Sequence, residues 1–259
     1  MLISGRIFAL TSLVLITAGV LFMMRRARQG EVPHIRRMAG LDAIEEAVGR
    51  ATEMGRPVHY TIGWADGGLS GAMAAQILAG LSVLGYVAEL AAKYRVKIIT
   101  TVSQPDTLPL HEEILRLSYQ KAGHPEALPP DAVRFISIDL YAYSAGVLGE
   151  IDREKPAANI MIGAFWMESL LFTEAGYRQG AIQVAGTART SQIPFFVATC
   201  DYTLIGEEIF AAGAYLSKDP GQIGTIAAQD AGKLLALVLL VSGLLLYAFG
   251  NPVGVLLRT

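Results

Sequence analysis

Three carboxylates, Asp139, Glu168 and Asp201, each follow an apolar segment with the composition of a buried strand. At the carboxyl edge of a parallel sheet such groups could act as general acid and base, or could hold Mg²⁺. Asp also caps helices and forms turns, and nothing in the sequence fixes the distances among these side chains. The three are therefore candidate catalytic residues, with capping as the alternative.

A glycine-rich stretch between a predicted strand and a predicted helix offers candidate ligand-binding residues. They are Gly63, Asp66, Gly67 and Gly68, together with Ser103 at the end of the next strand. Backbone N–H groups at such a helix start can hold an anion. The stretch matches neither G-x-G-x-x-G nor a Walker A loop, and Asp66 would repel a phosphate unless a cation intervened. The alternative is a tight turn in which Asp66 caps the helix.

The histidines and the single cysteine indicate no metal site. The four histidines lack metal-ligand spacing and no H-E-x-x-H is present. We expect His59 to be a core residue of a strand and His111 to be solvated at a helix start. A lone Cys200 excludes an intramolecular disulfide, and the adjacent Asp201 would raise the pKa of its thiol, which favours a small apolar filler. No cofactor follows from the sequence.

The elements that must position these residues alternate between helix and strand. Continuous apolar strands between amphipathic helices indicate an α/β domain of Rossmann-like type, with a mostly parallel sheet covered by helices on both faces. The predicted helices are 41–54, 70–94, 109–122, 144–153, 169–178 and 203–216. The predicted strands are 57–62, 96–102, 133–138, 159–164, 181–184 and 193–198.

The composition excludes several classes of protein. Of the 259 residues, 53% are hydrophobic and 17% are charged, against about 25% charged in an average soluble domain. So apolar a chain can bury enough surface to fold, which excludes disorder, and it is too apolar for a wholly soluble protein. The 21 Lys+Arg and 23 Asp+Glu give a net charge of -2, so no basic excess favours a nucleic-acid partner.

Two uncharged segments predict membrane anchors at the two ends of the chain. The first lies within residues 1–24, and the second is 234–257. A cleaved signal peptide is the alternative for the first, but its apolar run is long and lacks a small-x-small cleavage site. Five arginines lie in a basic neck, 25–37. By the positive-inside rule we expect the domain 38–233 in the cytoplasm and both termini outside, in the cell membrane.

A third uncharged segment, 67–88, is rich in Gly, Ala and Ser. This segment could form either a buried helix or a third membrane span, and its composition favours the buried helix. It shares a high content of small residues with 211–214. Such helices could pack tightly on the sheet or form a seam between subunits, so self-association or association with other membrane-protein subunits is an expected interaction beside the lipid bilayer.

Three stretches resemble a family of uncharacterised bacterial and archaeal membrane proteins, a domain of unknown function. They are GLDAIEEAVGRATEMGRPVHY at Gly40–Tyr60, FTEAGYRQGAIQVAGTA at Phe172–Ala188 and PFFVATCDYTLIGEEIFAAGAYLSKDP at Pro194–Pro220. The resemblance implies a membrane-anchored α/β domain. It supplies no activity, cofactor or catalytic residue.

Three functions are compatible with these features. The first is a membrane-anchored cytoplasmic module that binds a ligand or serves as an oligomeric or accessory subunit of a membrane assembly. The second is a membrane-tethered hydrolase or transferase with an acidic site at the strand ends that could use Mg²⁺. The third is a transport or secretion component in which 67–88 spans the membrane.

Overall fold

The chain alternates between helices and strands, as a computed structural model of residues 7–29, 38–217 and 220–248 shows. The helices are α1 (Ile7–Arg28), α2 (Ala39–Met54), α3 (Ala74–Tyr94), α4 (Leu108–Lys121), α5 (Leu140–Glu154), α6 (Glu168–Arg178), α7 (Ile193–Thr199), α8 (Glu208–Ser217) and α9 (Pro220–Ala248). The strands are β1 (Val58–Thr61), β2 (Ile98–Val102), β3 (Val133–Phe135), β4 (Ala158–Ile162), β5 (Ile182–Thr187) and β6 (Tyr202–Ile205). Short 3-10 turns occupy Gly68–Ser70 and Pro125–Ala127.

The six strands form one sheet in the order β3-β2-β1-β4-β5-β6, and every neighbouring pair is parallel. Adjacent residues of β1 contact opposite layers. The Tyr60 hydroxyl donates to the Gly80 carbonyl of α3, whereas Thr61 hydrogen-bonds to Tyr143 of α5. Successive side chains of a strand point to opposite faces, so α3 and α5 cover the two sides of the sheet. The mostly parallel α/β prediction is confirmed.

Aromatic side chains fill the core on the α5 face of the sheet. Tyr143 and Phe172 meet edge to face with ring centroids 5.8 Å apart, and Phe165 and Phe196 do so at 5.1 Å. All four are fully buried. Edge-to-face pairs of this kind add about 0.5–1.5 kcal/mol beyond the burial of their area. They hold α5, α6 and α7 against the carboxyl half of the sheet.

A buried polar row crosses the sheet on this same face. His59, Asn159 and Gln183 are registered neighbours on β1, β4 and β5. The His59 ring bonds to Asn159 at 2.8 Å and to Thr101 at 3.0 Å, and the Asn159 amide donates to Gln183 at 3.2 Å. The expectation that His59 is a hydrogen-bonded core residue is confirmed. Burial lowers the pKa of His59 to about 4.

We expect the protein to lose stability in acid because of this row. The unfolded chain protonates His59 below about pH 6.5, and the folded chain does so only near 4, so stability is full above 6.5 and falls as the pH drops between these values. At about pH 5 the contribution of His59 to this loss is about 2 kcal/mol relative to neutral pH, and buried His111, whose pKa burial also lowers to about 4, adds a loss of similar size. Urea unfolding of the full-length protein in detergent measures it. His59→Gln should reduce the loss, His124→Gln on the surface should not, and equal pH dependence in both variants would contradict the account.

One strand prediction was wrong, and the error moves a site residue. Residues 193–198 form helix α7, in which Pro194 occupies the first turn, where a helix tolerates proline. The last strand is Tyr202–Ile205, and residues 203–205 of it lie in the helix predicted over 203–216. Gly206 follows it with φ +61 and separates it from α8. A short apolar run does not distinguish a strand from a buried helix by periodicity.

Helix α3 connects β1 to β2 and lies within the α/β part of the chain. Among the residues searched, it and Ile226–Leu245 are the two helices long and apolar enough to cross a membrane. The apolar stretch of α3 is 61% buried inside the protein, whereas the apolar stretch of Ile226–Leu245 is 0% buried. Tyr60 bonds to the backbone of α3, as described above. These contacts favour a buried helix over a third membrane span for residues 67–88. They also favour packing of its small residues on the sheet over a seam between subunits.

The chain divides into two compact units, Met1–Arg36 with Ser217–Thr259, and Arg37–Leu216. In the first unit α1 and α9 approach closely, since a Cβ on Gly224 would lie 2.8 Å from the Met24 Cα. α9 begins at Pro220 rather than at the predicted 234, and α1 continues through Arg28 into the predicted neck. Residues 30–37 and 249–257 of the predicted neck and second span lie outside the described residues.

Candidate functional site

The strand order reverses between β1 and β4. From β1 the chain proceeds outward through β2 and β3, and from β4 it proceeds the other way through β5 and β6. Loops leaving such strands in opposite directions open a crevice at their carboxyl ends, where open α/β sheets bind ligands. We call the loops 63–71, 163–167 and 188–192, which follow β1, β4 and β5, the switch-point site.

The β1 and β4 loops touch at the bottom of the switch-point site. Gly63 has φ +82, and a Cβ there would lie 2.3 Å from the Ala164 carbonyl oxygen. The Ala164 N–H donates to Ile62 O at 2.9 Å, and the Ala65 N–H donates to Ala164 O at 3.2 Å. Gly63 is therefore required by this close approach rather than by contact with a ligand.

Glu168 joins these two loops. One carboxylate oxygen accepts from the Trp64 N–H and the other accepts from the Trp166 N–H, both at 3.0 Å. The side chain is fully buried, and burial raises the pKa of its carboxyl group, while the hydrogen bonds and the charge of Arg189 oppose that shift. The geometry makes Glu168 a positioning residue for both loops.

Asp106 occupies the glycine-rich loop as an anion would. Its carboxylate accepts from the Leu69 N–H at 2.8 Å and leaves no room for a Cβ on Gly68, which would lie 2.4 Å from one of its oxygens. Ser103 donates to Trp64 O at 2.6 Å and so fixes the start of the same loop. Asp106 stands three residues after Ser103 in the loop following β2 and was not among the predicted ligand-binding residues.

Asp66 and Gly67 are exposed at the outer part of this loop. The prediction that Asp66 caps the following helix was wrong, because α3 begins at Ala74 and has Met73 at its N-cap position without a side-chain cap. The 3-10 turn inserted at Gly68–Ser70 causes the difference.

The three candidate catalytic carboxylates do not come together. Asp139 caps α5 by accepting from the N–H groups of Tyr141 and Ala142, so the capping interpretation is confirmed. Asp201 precedes β6 and accepts from the Gln183 N–H near the amino end of β5, at the opposite edge of the sheet from Glu168. The strand wrongly predicted at 193–198 was the reason for placing Asp201 at the carboxyl edge.

Arg189 and Trp166 form a stacked pair in the switch-point site. The guanidinium carbon of Arg189 lies 3.3 Å from the centroid of the Trp166 ring. Among the residues that the structure describes, neither Arg189 Nη1 nor Trp166 Nε1 has a hydrogen-bond partner, and both atoms are buried. The predicted strand ended at 184, whereas β5 continues to Thr187. Composition gave no signal for this extension, because Ala185 and Gly186 are poor strand formers.

The remaining candidates for chemistry are inert in this structure. His111 is fully buried, contrary to the expectation that it is solvated, and its Nδ1 bonds to the Thr107 carbonyl. Burial raises the pKa of the Cys200 thiol to about 12, consistent with an unreactive filler. No group of three or more His, Cys, Asp or Glu side chains suited to a metal ion occurs in the described parts of the chain.

The 3-2-1-4-5-6 parallel order and the loops at its switch point define a doubly wound α/β domain of the Rossmann class. This class hosts many functions, so the fold alone assigns none. The family model of the domain of unknown function DUF6754 matches residues 1–255, and the chain belongs to this family. Searches of the curated proteins and of the solved structures found no match.

Proposed function

We propose that this protein is a membrane-anchored α/β module that binds a small molecule at the switch-point site. The observation that carries the proposal is the reversal of strand order between β1 and β4, with two loops joined there by Glu168. Both tryptophans of the chain, Trp64 and Trp166, lie in these loops. Large side chains and fixed backbone at a switch point suit a preformed binding site.

Two helices serve as the anchors in this proposal. α1 exposes large apolar side chains, among them Leu15 at 71%, and α9 does the same, with Leu244 at 68%. Soluble monomers rarely expose continuous apolar surface of this extent. In this proposal the α/β domain lies in the cytoplasm and both termini lie outside, which the arginines after the first apolar run support through the positive-inside rule.

Native mass spectrometry of the full-length protein released from detergent tests the binding function. We expect a stoichiometric extra mass on each subunit. Hydrogen exchange compared with and without that mass should then show protection in 63–71 and 163–167. The turns at 155–157 and 179–181, at the opposite edge, are the internal control and should not change. A subunit without extra mass, or protection at the control turns alone, would contradict the proposal.

A second candidate function is that of a subunit in a larger assembly. α6 and α7 expose neighbouring apolar side chains, with Leu170 at 45%, Phe195 at 42% and Tyr177 at 76%. Leu170 and Tyr177 line, with Thr199, a surface groove of about 240 Å³. Apolar surface of this kind marks interaction sites. The same mass spectrum gives the subunit count, and a monomer without protein partners would exclude self-association through this face.

A further inference from the structure

We infer that the switch-point site recognises an oxyanion, a phosphate or carboxylate group, and that Arg189 and Trp166 are the residues that bind it. This inference rests on the proposed binding function and names its ligand class. Arg189 Nη1 and Trp166 Nε1 are the hydrogen-bond donors of one stacked pair, each buried and each without an acceptor among the described residues. Leaving a buried donor unpaired is costly, more so for a charged group, so an acceptor supplied by a ligand is favoured.

The backbone that carries Arg189 is held in place before any ligand arrives. Its N–H donates to Thr187 Oγ1 at 3.2 Å, and its carbonyl accepts from the Gln192 N–H at 2.9 Å. Gln76 of α3 accepts from Thr187 Oγ1 and from the Ala188 N–H, which ties this loop to the helix after β1. Only the side chain of Arg189 has to move when a ligand binds, so binding loses little conformational entropy.

The glycine-rich loop after β1 does not compete for this role. Asp106 already fills it and bonds to the Leu69 N–H, as described above. An incoming anion would meet that carboxylate and be repelled. The unoccupied donors lie across the switch point, at the ends of β4 and β5. The anion subsite therefore differs from the usual arrangement, in which the first glycine loop holds the phosphate.

Glu168 interacts electrostatically with Arg189, and its charge lowers the attraction of Arg189 for an anion. Both of its oxygens are occupied by the backbone N–H groups of Trp64 and Trp166. These oxygens form no hydrogen bond with Arg189 Nη1, although the Glu168 carboxylate interacts electrostatically with the guanidinium at longer range. A group that only accepts hydrogen bonds satisfies both free donors at once, whereas a neutral amide or hydroxyl brings donors of its own.

Because both nitrogen atoms are closed to solvent, the anion reaches them only when the guanidinium shifts on the indole ring. In the structure the guanidinium lies on the indole ring, where a cation–π contact holds it. Binding changes the surroundings of Trp166, and intrinsic fluorescence of the full-length protein in neutral detergent reports it. The probes are inorganic phosphate, inorganic triphosphate and a short-chain phosphatidic acid, with the diacylglycerol of the same chain length as the uncharged control.

We expect a saturable fluorescence change with at least one phosphate probe and none with the diacylglycerol. Response to the soluble phosphates identifies a free phosphate compound as the source, and response to phosphatidic acid alone identifies a lipid headgroup.

Arg189→Gln should raise the dissociation constant at least about tenfold, because a hydrogen bond to a charged group is lost. Arg178→Gln, an equal change of charge at an exposed site on α6, should leave it unchanged. In Trp166→Phe the fluorescence change should vanish while calorimetry still detects binding.

Two results would overturn the inference. One is the absence of any saturable change with all three phosphate probes at millimolar concentration. The other is unchanged affinity in both Arg189→Gln and Arg189→Lys, with thermal unfolding confirming that both variants fold. If either result came with a neutral co-purified molecule in the native mass spectrum, the proposed binding function would be retained. Only the inference that the ligand is an anion would then be rejected.

Discussion

Replacing Gly80 by alanine should unfold or strongly destabilise the α/β domain. A Cβ at this position would lie 2.2 Å from the Ile162 carbonyl oxygen and 2.9 Å from Ile62 Cγ2. Ile162 is the last residue of β4 and Ile62 directly follows β1. The Tyr60 hydroxyl also ties the Gly80 carbonyl to β1 at 2.6 Å. The helix must therefore move off the sheet. We expect a loss of about 3 kcal/mol or more in the free energy of unfolding.

Gly85→Ala on the same helix is the matched control. There the new Cβ meets Ile114 Cγ2 at 3.7 Å, an ordinary contact, and alanine favours a helix over glycine by about 0.5–1 kcal/mol. We expect this variant to be unchanged or slightly more stable. Both tryptophans lie in the α/β domain, so urea unfolding followed by fluorescence reports on that domain in the full-length protein. Similar stabilities of the two variants would show that α3 does not pack this closely on the sheet.

Glu168→Ala should have the second large effect. It removes the acceptor of both the Trp64 and the Trp166 N–H groups from a fully buried position. Each donor left unpaired costs about 1–3 kcal/mol, so we expect a total loss of about 3 kcal/mol. The tryptophan emission of the folded variant should shift as well, because both loops lose their common attachment.

Two further substitutions separate this role from a general effect of removing a carboxylate. Glu168→Gln keeps one acceptor oxygen and should lose about half as much stability. Glu174→Ala removes an exposed carboxylate from the same helix and should change stability by less than about 0.5 kcal/mol. If Glu168→Ala were as stable as Glu174→Ala, the two loops would be held by other contacts.

The central strands could be predicted because burial on both faces makes them continuously apolar. β1, β2 and β4 lie within the predicted 57–62, 96–102 and 159–164, apart from Ala158 at the start of β4. The helices of the domain followed from their periodicity and from stop signals such as Gly55, which adopts φ +62 at the end of α2. These features are local, and local composition determines them.

The end of the sheet at β5 and β6 could not be predicted in this way. Ile193–Thr199 is rich in β-branched and aromatic residues yet is helical, because it packs Phe196 into the aromatic core against Phe165. Tertiary packing overrides propensity in so short a segment. Asp106 in the glycine-rich loop and Arg189 on Trp166 are contacts between residues distant in sequence. Their partners follow only from the strand order.

The central strand β1 gains its second neighbour late in synthesis. His59 bonds to Asn159, which lies 100 residues further along the chain. On the ribosome, β1 can pair with β2, and β2 with β3, while the other edge of β1 stays open until β4 emerges. An open edge is a pairing hazard for nascent chains. Helix α1 is synthesised before that edge is covered. A truncated product would thus carry an unpaired β1 and lack half of the proposed binding site, which makes it a natural target for chaperones and proteases.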